Sequence, residues 1–158
     1  MSAMSRAPCN SLTLTIRIAR SPWEIADAAA LYERSGTAAF TWRPPGYFQA
    51  DDFKRFAEEE DVFLALAGEA LVGILSLFRS DNFVHCLYVD PDAQGLGVGR
   101  ALVAHVRRET GKPLTLKLDT PNVKAIAFYE ATGWRRLTGP EDFGTDLEGV
   151  NWARYRLA

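Results

Sequence analysis

The chain has little of what metal-binding, disulfide-stapled and membrane proteins need. Of 158 residues, two are cysteine, Cys9 and Cys86, and two are histidine, His85 and His105. One thiol sits in an N-terminal segment and the other in an expected strand, which argues against a disulfide framework and suits a reducing cytoplasm. Four such residues so scattered argue against a zinc site, and no metal is expected. There is no long apolar run: Ala70 to Phe78 is the longest, holds Gly73 and Ser76, and is too short to span a bilayer. Met1 to Ser11 is rich in Ser, Ala and Pro and has no apolar core of signal-peptide length. Neither sign of charge dominates, with 18 Lys and Arg against 20 Asp and Glu, and no Lys/Arg-rich block is present. That balance argues against a broad nucleic-acid surface. No repeat and no linker divides the chain, so residues 1–11 read as a flexible tail and 12–158 as a single domain.

What is present is a regular alternation of elements. Leu12, Leu14, Ile16 and Ile18 alternate with polar residues and predict a first strand. Ser21-Pro22-Trp23-Glu24 has the residue order of a helix start, and Gly36 is placed to end that helix. Thr37 to Gly46 reads as a loop and Phe48 to Glu60 as a second helix. Val62 to Ala67 and Leu71 to Phe78 read as a hairpin about Gly68-Glu69, followed by a strand from Phe83 to Val89. A helix carrying Val98, Leu102 and Val106 follows a glycine-rich turn and ends before Gly111 and Pro113. A strand marked by Leu114, Leu116 and Leu118, a helix from Asn122 to Gly133, and strands at Trp134 to Thr138 and Trp152 to Leu157 complete the chain. Hairpins early and alternation late predict a mixed α/β sheet flanked by helices, with one parallel pairing through a right-handed crossover.

The segment that points to chemistry is Gln94-Gly95-Leu96-Gly97-Val98-Gly99-Arg100, between a strand and a helix. Glycines let backbone N–H groups approach a ligand, and a helix N-terminus adds free donors and partial positive charge, so the junction suits a phosphate or pyrophosphate. A P-loop would end Gly-Lys-Ser/Thr, but Gly99-Arg100-Ala101 stands there. A dinucleotide fingerprint would need glycine at position 100 or 102, where Arg100 and Leu102 stand.

The segment resembles the first motif of the GNAT acetyltransferase superfamily, Gln/Arg-x-x-Gly-x-Gly/Ala. Leu87-Tyr88-Val89-Asp90-Pro91 is similar to that family's fourth strand and its exit. Asn122 to Trp134 is similar to its second motif, in which Asn opens a helix, Tyr follows, and Gly with an aromatic residue ends it. The resemblance implies a GNAT-type fold with a central, mostly antiparallel sheet and two splayed parallel strands. It implies an acyltransferase that moves acetyl from acetyl-CoA, as co-substrate, directly to a primary amine of a small molecule or peptide. Backbone groups of Gln94, Gly95, Leu96, Gly97, Val98, Gly99 and Arg100 would cradle the pyrophosphate. Those of Leu87, Tyr88 and Val89 would meet the pantetheine arm as though it were a strand, with the Val89 N–H polarising the thioester carbonyl. Asn122 would bond the arm, and Tyr129 would act as general acid near the sulfur. Asn122 and Tyr129 are seven residues apart, so a helix puts both on one face.

The general base is less determined. Some family members carry Glu at the position of Phe83; here His85 is the candidate for handling the amine proton. Cys86 is expected on the opposite side from His85, as a core residue. Glu58-Glu59-Glu60-Asp61 reads as a solvated helix end. The loop with Trp42 and Arg43, and the acidic residues Glu141, Asp142, Asp146 and Glu148, are expected to border the acceptor. Such a rim would favour a cationic amine, helped by a cation–π face on Trp42; Arg43 would oppose it. The alternative reading is a non-catalytic acyl-CoA-binding module of the same fold. Peptide and metabolite acceptors, and monomer and homodimer, stay open.

Overall fold

A computed structural model describes residues 12–158. The expected tail, Cys9 included, lies outside the described residues. One mixed sheet contains β1 (Thr15–Ile18), β2 (Asp61–Ala67), β3 (Ala70–Phe78), β4 (Phe83–Val89), β5 (Leu114–Asp119), β6 (Arg135–Arg136), β7 (Phe143–Thr145) and β8 (Asn151–Leu157). Its order is β1-β2-β3-β4-β5-β8-β6, with β7 also paired to β8. The helices are α1 (Pro22–Ala39), α2 (Ala50–Ala57), α3 (Val98–Thr110) and α4 (Val123–Ala131). All pairings are antiparallel except β4 with β5.

Two apolar cores lie on the two faces of the sheet. α3 and α4 cover one, where Leu75, Val84, Leu102, Val106, Leu116, Trp134 and Tyr155 are buried. α1 and α2 cover the other, where Ala28, Leu31, Tyr32, Phe53, Val62, Leu64, Ile74 and Cys86 are buried. The start of α1 is as expected: the Ser21 hydroxyl accepts from the Glu24 N–H at 3.2 Å, with Pro22 in the first turn. Its end is not. The helix runs through Gly36 to Ala39, because Gly36 serves packing rather than termination. A Cβ there would come within 2.6 Å of the Phe48 ring. Gly73 has a similar role on β3, since a Cβ would meet Val98 at 2.7 Å and hold α3 off the sheet.

Other expected bounds shrink. The first ladder begins at Thr15, opposite Leu66, rather than at Leu12. The second helix spans only Ala50–Ala57, which leaves Glu60 outside it. The strand expected from Trp134 reduces to Arg135–Arg136, because the Trp134 ring is withdrawn into the core. The acidic loop holds a short strand, β7, that its polar sequence hides.

Two irregularities position the site. β4 and β5 pair only at Phe83 with Thr115 and at Val84 with Leu116. Beyond Val84 the strands part, and a V-shaped gap opens as expected. At the same point β4 bulges: Leu77 faces Val84 and Ser76 faces Cys86, so His85 has no opposite number. An extra residue in one strand breaks the in–out alternation. His85 therefore packs edge-on against Phe56 at 4.5 Å, on the side where Cys86 is also buried. The expectation that His85 and Cys86 point to opposite sides is corrected on this ground.

Candidate active site

The gap between β4 and β5 is the base of a cleft of about 1060 Å³. It runs from the α1–α2 loop, through the splay, to the glycine-rich turn and one face of α4. Leu87, Tyr88, Val89, Gln94, Gly95, Gly97, Val98, Gly99, Arg100, Asn122 and Tyr129 all line it, as do His85 and Trp42. Leu96 and Arg43 do not.

The turn has the geometry of an anion cradle. Gly95 and Gly97 have φ of +78° and +82°, a conformation that favours glycine. A Cβ on either would meet nothing within 4 Å, so the space before them is open. Gly97 caps α3 with no side chain bonded to the helix end. The first N–H donors of α3 thus face the cleft side without an internal acceptor, where a helix end attracts anions. Arg100 and Lys124 add two cations to the same lining.

β4 offers backbone to the gap in alternation. The Asp90 N–H bonds the Val72 carbonyl of β3 at 2.8 Å. Neighbouring residues of a strand point their backbone groups to opposite edges, so those of Val89 and Leu87 turn toward the gap and those of Tyr88 toward β3. Of the three backbone candidates, only Leu87 and Val89 fit an incoming extended arm. The Ser35 hydroxyl on α1 donates to the Val89 carbonyl at 3.3 Å and holds this corner. The Tyr88 ring joins Tyr32, Phe40 and Phe48 in an aromatic cluster, with centroids 5.4 to 6.2 Å away.

Across the gap, Asn122 caps α4 by accepting the Ala125 N–H at 3.2 Å through its side-chain carbonyl. The amide NH₂ is left for a ligand. Tyr129 lies against Phe128 and Trp134, with ring centroids at 5.2 and 5.3 Å. Burial pushes its phenol well above the usual range, so it carries its proton throughout the working pH range. Cys86 also touches the cleft, but burial pushes its thiol up to about 12, which disfavours the thiolate that a nucleophile needs.

The unanticipated feature is a His–Glu pair. His85 Nδ1 lies 2.7 Å from Glu60 Oε1, and the Glu60 side chain is only 9% exposed. A carboxylate can only accept, so Nδ1 carries the hydrogen and the other ring nitrogen, Nε2, is the basic one. The second oxygen of Glu60 is buried without a partner, so His85 is the one side chain that this carboxyl group bonds among the described residues. The Glu60 side chain is thus turned inward against His85 rather than standing as a solvated helix end.

The acidic loop also behaves differently from expectation. None of Glu141, Asp142, Asp146 and Glu148 lines the cleft. Arg43, 4% exposed, draws the loop inward: it bonds both oxygens of Asp119 at 3.0 Å and Asp146 at 2.7 Å, and lies 3.9 Å from Glu148. Asp142 accepts the Gly139 N–H at 3.0 Å. Trp42 donates its indole N–H to Asp119 at 2.9 Å. Arg43 is therefore a clasp joining the α1–α2 loop to β5 and the β7–β8 turn.

The profile of the acetyltransferase (GNAT) family matches residues 23–134. The chain belongs to the GNAT acetyltransferase family. Relatives differ in what they are named for. A mycothiol acetyltransferase of Geodermatophilus obscurus is 44% identical over 77 residues, 46% of this chain and 22% of that protein. The Escherichia coli peptidyl-lysine N-acetyltransferase YjaB is 34% identical over 85 residues, 52% of this chain and 55% of that protein. The chain thus matches between about a fifth and just over half of these relatives' length. The solution structure of apo YjaB superposes with a TM-score of 0.72 at 23% identity, covering 92% of this chain and 98% of that one. This likeness shows that the two chains share a fold.

Within the GNAT frame, the residues that sequence reasoning missed are Glu60, Ser35 and Asp119. Ser35 carried a usable signal, since it falls on the buried stripe of α1 with Ala28, Leu31 and Tyr32. Glu60 and Asp119 carried none, because their roles depend on partners 25 and 76 positions away. Among the described residues no cluster is placed to hold a metal ion, and no helix is long and apolar enough to cross a membrane.

Proposed function

We propose that the chain is an acetyl-CoA-dependent N-acetyltransferase acting on a primary amine. The observation that carries this is one cleft joining an open glycine cradle, a splayed strand edge, a protonated Tyr129 and a His85 oriented by Glu60. The free donors of α3, with Arg100 and Lys124, suit the phosphates. The open space at Gly95 and Gly97 is what a pyrophosphate needs.

When bound, acetyl-CoA supplies the acetyl group as an activated thioester. Nε2 of His85 takes a proton from the attacking amine, whose nitrogen lone pair forms the new C–N bond. The Val89 N–H faces the negative charge that develops on the carbonyl oxygen; one such donor contributes roughly 3 kcal/mol. As the C–S bond breaks, its electron pair leaves on sulfur and Tyr129 supplies the proton. A thiol has a pKa of about 8.5, below that of the buried phenol, so full transfer is uphill: the phenol shares its proton with the departing sulfur in a hydrogen bond, and solvent restores the Tyr129 proton as CoA leaves. Cytoplasmic residence suits Cys86, a free buried thiol. The test is acetyl-CoA turnover with an amine panel for wild type and His85→Gln. Amine-dependent release of CoA, lost in the variant, supports the reading; release at the hydrolysis background for every amine defeats it.

A further inference from the structure

The sheet face beneath α1 and α2 is only partly covered. The core those helices build takes residues from β2, β3 and β4 and none from β5, β6 or β8. Leu114, Leu116 and Leu118 of β5, and Ala153 and Tyr155 of β8, turn to the opposite core, and the α1–α2 loop reaches over this face only at its Asp119 end, through Trp42 and Arg43. The residues between them face outward: Lys117, Arg154 and Arg156, joined by Arg135 from β6, all exposed. The register sets Lys117 directly opposite Arg154, and Arg156 directly opposite Arg135.

Like charges placed opposite each other weaken a ladder. Here two such pairs sit side by side, and among the described residues none of the four cations makes an ion pair. No carboxylate among those residues offsets this repulsion, and it occurs in a chain of net charge −2. Trp152 shares the face: the Lys117 ammonium lies 4.2 Å and the Arg154 guanidinium 5.8 Å from its ring. Trp152 rests in turn on Gly144, where a Cβ would come within 3.0 Å of its ring. Lys117 also lines the cleft, so the basic strip leads into the candidate active site.

We propose that this open face docks an acidic stretch of a peptide acceptor, whose amine then enters the cleft beside Lys117. The location of the amine rests on the transferase reading above; the docking does not. The cations span three neighbouring strands, roughly 10 Å, which exceeds one carboxylate and suits several along an extended segment. Guanidinium groups match carboxylates in paired hydrogen bonds. None of the four acids expected to favour a cationic acceptor lines the cleft, and the carboxylate that does share this face, Asp119, is already held by Arg43 and Trp42.

The test is fluorescence anisotropy on the full chain with a short peptide rich in Asp and Glu, labelled at its C-terminus, and a Ser/Gln peptide of equal length. The acidic peptide binds more tightly, its affinity falls with added salt, and Arg154→Glu with Arg156→Glu weakens it about tenfold. Unchanged acetyl-CoA affinity shows that the double variant folds; the Gln pair replaces it otherwise. Equal affinity for both peptides, indifference to charge reversal, or tighter binding of single-stranded RNA of equal charge overturns the proposal. Charge-selective peptide binding without acetyl transfer to any amine leaves it standing and strikes only the transferase reading.

Discussion

Replacing Tyr129 with phenylalanine separates chemistry from architecture. The ring packs against Phe128 and Trp134 at 5.2 and 5.3 Å, and phenylalanine keeps both contacts. No hydrogen bond among the described residues uses the Tyr129 hydroxyl, so its removal leaves no orphaned partner. The stability change is accordingly under about 1 kcal/mol. A proton delivered in the transition state is worth about 10²–10⁴-fold, or roughly 3–5 kcal/mol of barrier. The two effects differ enough to be told apart. Single-turnover mixing of enzyme, acetyl-CoA and a good amine, with CoA release followed by a thiol reagent, isolates the chemical step. Thermal unfolding and calorimetric affinity for acetyl-CoA serve as controls. The rate falls at least about a hundredfold while both controls hold. An unchanged single-turnover rate removes Tyr129 from the mechanism; a collapse in stability shows that its hydroxyl is structural.

Glu60→Gln and His85→Gln each lower kcat, and the double variant is no worse than His85→Gln alone, because Glu60 acts through His85; additive losses in the double-mutant cycle contradict the pairing. Gly97→Val abolishes acetyl-CoA binding measured by calorimetry, since a branched side chain strains a left-handed residue by about 1–2 kcal/mol and fills the open space before α3; retained affinity moves the phosphate site elsewhere. Stability falls in alkali: burial raises Cys86 to about 12 and raises Tyr32, Tyr88 and Tyr129 as well. The folded chain keeps these protons while the unfolded thiol and phenols lose theirs from about pH 8.5 and 10 upward, so the stabilisation present below those values declines as pH rises toward the folded pKa values. Urea unfolding at about pH 8 and about pH 10 reads the decline, and equal stability at both refutes it.

Local signals in the sequence carried most of the frame. Ser21-Pro22-Trp23-Glu24 set the start of α1, the alternating leucines set β5, and the glycines at 95 and 97 set the open turn before α3. Each of these depends on neighbours within a few positions. Gly36 misled because a glycine that ends a helix and one that admits a ring look alike; only the approach of Phe48 tells them apart. The bulge at His85 was invisible for a related reason: strand alternation assumes an unbroken ladder, and the break is set by how β3 aligns with β4. The acidic loop read as a solvated rim because Arg43, which gathers it, is 103 positions from Asp146. Glu60 was hidden in a run of four acids, and only its contact with His85 distinguishes it.

The most direct test of the central claim is to incubate the purified chain with acetyl-CoA and a panel of primary amines and peptides, measuring free CoA and product mass together. Amine-dependent CoA release, matched by a product heavier by one acetyl group and lost in both His85→Gln and Tyr129→Phe, is the predicted result. Tight acetyl-CoA binding with no acetylated product from any amine would contradict it and leave a binding module in place of an enzyme.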